Sequence, residues 1–196
     1  KKVPIDPSKL EEAVRIEASE LYASYETYPF TKMIGINPFE GLWGTFDDEG
    51  ELFQKMKTIV PTYRQEAWSK GLLRIGIDDT ELGKQLADHF PKARKAHPFL
   101  YTETIQVLDR LKDHYQLVLL TNCSPTLQNT TLEITSERAP YFTHIGISGA
   151  FGKGKPDPAI FQFALSQCNL QADEVIMVGD NLMTDILGAS RTGIRS

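Results

Sequence analysis

After His97-Pro98 the sequence alternates short apolar runs with helical stretches, and this alternation constrains the fold more than any other feature of the chain. Leu117-Val118-Leu119-Leu120, His144-Ile145-Gly146-Ile147 and Val175-Ile176-Met177-Val178 are strand-sized and bounded by turn residues. Thr102 to Tyr115, Pro125 to Ile134, Pro158 to Asn169 and Leu182 to Thr192 read as helices. Strands that alternate with helices need right-handed crossovers, so the order predicts an α/β fold with a Rossmann-like parallel sheet and helices on both faces. Ligands bind beyond the carboxyl ends of the strands in such a sheet, which directs attention to the three strand tips.

The first half is helical instead. From Pro7 to about Thr27 apolar residues recur at helical spacing, with Asp6 placed to cap and Pro7 in the first turn. Tyr28 to Gly50 is rich in glycine, proline and aromatics and predicts an ordered connection with short helical turns. Glu51 to Leu73 reads as a helix interrupted or kinked at Pro61, and Asp79 caps another running to about Ala96. The expected organisation is a helical domain over residues 1–96 and an α/β domain over residues 97–196.

Each strand tip carries polar residues of a distinct kind. The first runs into Thr121-Asn122, where a hydroxyl and a backbone N–H ahead of a helix can hold a phosphate oxygen. The second leads to Gly152-Lys153-Gly154-Lys155-Pro156-Asp157-Pro158. There Pro156 holds Lys155 extended, Asp157 and Pro158 open the next helix, and the Lys155 ammonium can neutralise developing negative charge. Gly-x-x-x-x-Gly-Lys-Ser/Thr is absent, so this is no Walker loop. The third ends in Gly179-Asp180-Asn181-Leu182-Met183-Thr184-Asp185, and two acids gathered at an apolar strand's end repel unless a cation compensates. Magnesium suits them, because it takes oxygen ligands and needs only one or two protein carboxylates beside substrate phosphate. Taken singly, Asp180 also reads as a helix cap and Asp185 as a first-turn acid.

The formal net charge of -5 argues against a chain that wraps nucleic-acid backbone. No apolar run reaches the roughly 20 residues of a membrane span. Cys123 and Cys168 form no CxxC pair, which predicts a reducing, cytoplasmic setting, and the four histidines are scattered without ligand spacing.

In their order and at their strand ends, Leu-Leu-Thr-Asn, Gly-Lys-Pro-Asp-Pro and Val-Gly-Asp-Asn-x-x-x-Asp resemble the second, third and fourth motifs of the haloacid dehalogenase superfamily. The resemblance covers residues 99–195 closely, and the helical half looks like the cap that these enzymes insert after their first motif. It implies that Thr121 and the Asn122 backbone bind a phosphoryl group, that Lys155 stabilises its charge, and that Asp180 and Asp185 position Mg2+. It further implies hydrolysis of a small phosphomonoester, of the phosphoserine, phosphoglycolate or nucleotide type, by an aspartate that becomes phosphorylated. A dehalogenase, a phosphotransferase and a non-catalytic binding module are the alternatives on this fold, and the paired acids favour the phosphatase.

The sequence departs from the family in its first motif. No Asp-x-Asp occurs, and Ile77-Asp78-Asp79-Thr80 has adjacent aspartates that read as a helix cap. An apolar strand ending in Asp-x-Asp is therefore expected upstream of Lys1, with a last sheet strand beginning near Ser196, and residues 1–196 alone are expected to fold poorly. Cys123 stands where many relatives carry glycine, and it reads as a tolerated small residue. Lys32, Trp43, Arg64 and Trp68 are the candidates for substrate contacts from the cap.

Overall fold

The structure is a computed structural model that describes residues 5–196. It comprises two compact units, one formed by residues 5–31 and 37–98 and the other by residues 32–36 and 99–196. The fold is α/β, with a small parallel sheet in the second unit and, among the described residues, helices alone in the first.

In the first unit α1 (Pro7–Ser24) starts where the sequence predicts, with the Asp6 carboxylate accepting from Ser8 N. The glycine- and aromatic-rich stretch forms α2 (Tyr28–Ile34) and α3 (Pro38–Gly41). A long helix, α4 (Glu51–Arg74), runs through Pro61 without a break. Asp79 caps α5 (Thr80–Ala96) by accepting from Leu82 N, as the sequence predicts. Helix α4 packs between α1 and α5, and small residues set the spacing. A Cβ on Gly71 would lie 2.5 Å from Val14 Cγ2, so α1 and α4 touch almost backbone to backbone there. Tyr63, fully buried, donates its hydroxyl to Pro38 O at 2.6 Å and ties α4 to the start of α3.

The second unit holds α6 (Thr104–Lys112), β1 (Val118–Thr121), α7 (Pro125–Ile134), β2 (His144–Ile147), α8 (Ser148–Phe151), α9 (Pro158–Cys168) and α10 (Leu187–Arg191). Strands β1 and β2 pair in parallel, Val118 opposite His144 through Thr121 opposite Ile147, as the crossover through α7 requires. Ile160, Phe161, Ala189 and Ile194 are buried together, with Leu120, Val175 and Met177 packed against them. Gly188 lies against the Phe161 ring and has no room for a side chain.

Two sequence expectations are corrected here. Val175–Val178 does not form a strand of the β1–β2 sheet: its one ladder contact among the described residues is a parallel bridge from Ile176 to Arg195, with Met177 N donating to Arg195 O at 2.7 Å. It still alternates as a strand does. Val175 and Met177 pack on the core, whereas Ile176 and Val178 are exposed, so the composition encodes an extended conformation that bridges to Arg195 and not to β1. The helix expected over Leu182 to Thr192 opens with a π-helical turn, Leu182–Ile186, before α10. Its widening lets Asn181 O accept from both Asp185 N and Ile186 N.

Candidate active site

Lys155 is the centre of the site. Its ammonium donates to Leu120 O at 2.7 Å and lies 2.6 Å from Asp185 Oδ1, so it joins the tip of β1 to the loop after Val178. The lysine and aspartate side chains are only 11% and 6% exposed, which makes this a buried pair, unlike the other ion pairs among the described residues. Asp185 places its second oxygen, Oδ2, on Asn181 N at 3.1 Å. Each carboxylate oxygen therefore has one dedicated contact.

Local sequence explains how these groups meet. The Asn181 side chain accepts from Met183 N and Thr184 N, which caps the π-helical turn and aims Asp185 back at its own loop. Gly179 makes this possible, because a Cβ there would lie 2.5 Å from both Cβ and Cγ of Asp185. Lys155 precedes a cis proline, Pro156, and Asp157 then caps α9 by accepting from Ala159 N. That hydrogen bond and the nearby Lys153 hold the Asp157 carboxyl below the usual carboxylate range.

Asn122 has a role that its position in the sequence did not suggest. Its side chain accepts from Lys155 N at 2.7 Å and donates to Lys155 O at 2.9 Å, a two-point clamp on the lysine's own backbone. The sequence points only to its backbone N–H. Thr121 ends β1 half-buried, one residue beyond the carbonyl that holds Lys155. Ser148, at the end of β2, accepts from Cys123 N at 3.0 Å and fixes the loop that follows Thr121.

Asp180 is exposed and lies beside a groove of about 520 Å³ within the second unit. One wall is the edge of β1 that β2 leaves open, Val118 to Leu120; the other is Val175 to Val178. Lys155, Asp180 and Asp185 all line it, so the tips bring the lysine and both acids to one place. Among the described residues no group of three His, Cys, Asp or Glu side chains is assembled that could by itself enclose a metal ion. Asp185 is committed to Lys155 and Asn181, which leaves Asp180 as the acid turned to solvent.

The cap candidates fare differently. Arg64 spends its guanidinium on the carbonyls of Gly41, at 3.1 Å, and Gly44, and burial lowers its pKa. Trp43 is buried, with the Arg94 guanidinium 5.3 Å from its ring centroid, and Trp68 packs on Phe90 at 5.4 Å. These three serve the packing of the first unit. Lys32 is exposed and belongs to the stretch 32–36 of the second unit.

Comparison with known proteins places the chain in a family. The family model for haloacid dehalogenase-like hydrolases matches residues 9–193. A phosphoserine phosphatase of Thermus thermophilus is 32% identical over 184 residues, covering 93% of this chain and 72% of that enzyme. An N-acylneuraminate-9-phosphatase of Mus musculus is 28% identical over 74% of this chain, and there the match spans 59% of the relative's length. The magnesium-bound HAD-hydrolase YfnB of Bacillus subtilis, at 20% identity, shares the fold with a TM-score of 0.55 over 94% of this chain and 78% of its own. No helix among the described residues is long and apolar enough to cross a membrane. With a family match over nearly its whole length and the lysine and acids gathered at the strand tips, the chain belongs to the haloacid dehalogenase-like hydrolases.

Proposed function

We propose that the chain forms the greater part of a magnesium-dependent phosphomonoesterase acting on a small phosphorylated metabolite through an aspartyl-phosphate. The observation that carries this reading is the buried Lys155 ammonium, held between Leu120 O and Asp185 Oδ1 where the β1 tip meets the groove. A cation fixed there by two oxygens needs no rearrangement to meet charge that develops on a transferring phosphoryl group. The Thr121 hydroxyl and the Asn122 N–H would hold a phosphoryl oxygen beside it. An extended apolar segment lying along the open edge of β1 and ending in Asp-x-Asp would bring the nucleophile to Lys155. Its first carboxylate would attack phosphorus, the ester P–O bond would break, and the second aspartate of the motif, in its acid form, would give its proton to the leaving alkoxide. Water then cleaves the acyl phosphate, releasing phosphate and restoring the carboxylate.

The donor set suits magnesium, since both acids offer oxygen and the ion takes few protein ligands. Asp180 would hold it from this chain, with Asp185 contributing chiefly by fixing Lys155. When bound, the ion would supply positive charge to the phosphoryl oxygens. The named relatives act on phosphoserine and N-acylneuraminate 9-phosphate, so the substrate class is a small polar phosphomonoester. The test is a panel of such esters, with and without magnesium, assayed for phosphate release by residues 1–196 and by a version extended at both ends. Magnesium-dependent release by the extended protein is expected. Its failure to turn over any ester would remove the reading.

A further inference from the structure

Residues 32–36 close α2 and lead toward α3, yet they pack with the second unit through their main chain. Ser148 Oγ donates to Ile34 O at 2.5 Å, and Gly154 N donates to Met33 O at 2.9 Å. Just after these two bonds Gly35 takes a left-handed conformation, with φ at +75°, directly against the Asn122 carboxamide. A Cβ on Gly35 would lie 2.6 Å from Asn122 Cγ and closer still to Nδ2. From the other side, a Cβ on Gly154 would lie 2.9 Å from Asn122 Oδ1 and 2.5 Å from Ile34 O. Two glycines thus wall in one carboxamide.

The walled atoms are those that clamp Lys155. Asn122 Oδ1 accepts from Lys155 N and Nδ2 donates to Lys155 O, so a side chain at position 35 could be accommodated only by moving the atoms that fix the lysine's backbone. The flanking bonds from Ser148 and Gly154 keep residues 33–34 from retreating instead. From this juxtaposition we infer that Gly35 is a positioning residue for Lys155, acting through Asn122, and that residues 32–36 are part of the site's scaffold. That such positioning governs turnover rests on the phosphatase reading; that Gly35 sets the clamp does not.

Hydrogen exchange at single amides separates the two claims, because the Lys155 N–H is itself a bond of the clamp. In the protein extended at both ends, Gly35→Asn, Gly35→Ala and Asn122→Ala should each speed exchange at Lys155 by about tenfold or more, the effect of losing roughly 1.4 kcal/mol of local protection. Exchange at Thr143, whose N–H is held by Leu117 O in the same unit, should stay unchanged. Asparagine tolerates positive φ better than alanine does, so Gly35→Asn isolates the added Cβ from backbone strain and stands in if Gly35→Ala fails to fold. The double variant Gly35→Asn/Asn122→Ala should exchange no faster at Lys155 than Asn122→Ala alone. In the extended protein both single variants should lower kcat about tenfold or more with little change in KM, since misplaced catalytic groups cost rate before binding. Wild-type protection of Lys155 in Gly35→Asn, or effects that multiply in the double variant, would overturn the inference. Faster Lys155 exchange in an extended protein that hydrolyses no ester would leave it standing and remove the phosphatase reading instead.

Discussion

Replacing Lys155 with methionine tests the site most directly, because it removes one charge of a buried pair while nearly keeping the side chain's length. The Asp185 carboxylate, 6% exposed, would keep its bond from Asn181 N but lose the ammonium at 2.6 Å, and Leu120 O would lose its donor at 2.7 Å. Breaking a buried ion pair from one side costs roughly 3–5 kcal/mol, and an orphaned carbonyl adds to that unless water reaches it. At an m-value of about 2 kcal/mol/M, a loss of about 4 kcal/mol moves the urea midpoint down by about 2 M. Far-UV circular dichroism is the right probe, since both tryptophans, Trp43 and Trp68, lie in the first unit and report on the wrong helices. Asp185→Asn keeps the acceptor for Asn181 N and removes only the charge, so it should also destabilise. The double variant should recover much of the loss, because with both charges gone nothing ionised is left buried and unpaired. Single-variant losses that simply add, with coupling below about 0.5 kcal/mol, would refute the pair as an energetic unit.

Other outcomes follow from the same geometry. Asp180→Ala, on an exposed residue, should change stability by no more than about 0.5 kcal/mol yet abolish magnesium-dependent turnover of the extended enzyme; unchanged magnesium dependence would take Asp180 out of the site. Gly179→Ala should cost about 1–3 kcal/mol by driving a Cβ into Asp185, measured by urea denaturation, and a neutral result would show that the loop yields easily. Glu40, whose carboxyl burial pushes up to about 8 against the hydrogen bond from Asn37 N, binds its proton more tightly folded than unfolded. Its contribution is complete below about pH 4.5 and fades as pH rises toward 8, so stability should fall across that window by up to ~1.4 kcal/mol per unit and Glu40→Gln should flatten the slope.

What the sequence revealed about this site, and what it hid, divides along a physical line. Lys155, Asp180 and Asp185 were legible because each departs from what a strand tip needs: a lysine pinned before Pro156, and acids that would repel if nothing compensated. Helix starts were legible for a similar reason, since Asp6, Asp79 and Asp157 all cap through local bonds spanning two or three residues. The extended run Val175–Val178 was legible as a conformation but not as a pairing, because composition encodes the pleat and not the neighbour.

The clamp was invisible for a deeper reason. Gly35 and Asn122 are far apart in the chain, Asn122 and Lys155 are 33 residues apart, and nothing local at either glycine distinguishes a turn from a place where another backbone must come close. A glycine in a left-handed turn after a short helix is ordinary, and the sequence offers that sufficient explanation for Gly35. Only the packing shows a second constraint on the same residue, the Asn122 carboxamide lying where a Cβ would be. The two constraints respond differently to substitution: a turn glycine tolerates asparagine, whereas a glycine that makes room for a clamp tolerates no side chain. Position 35 can therefore be read from one comparison, the Lys155 exchange rate in Gly35→Asn against wild type, which the turn explanation leaves unchanged and the clamp explanation raises.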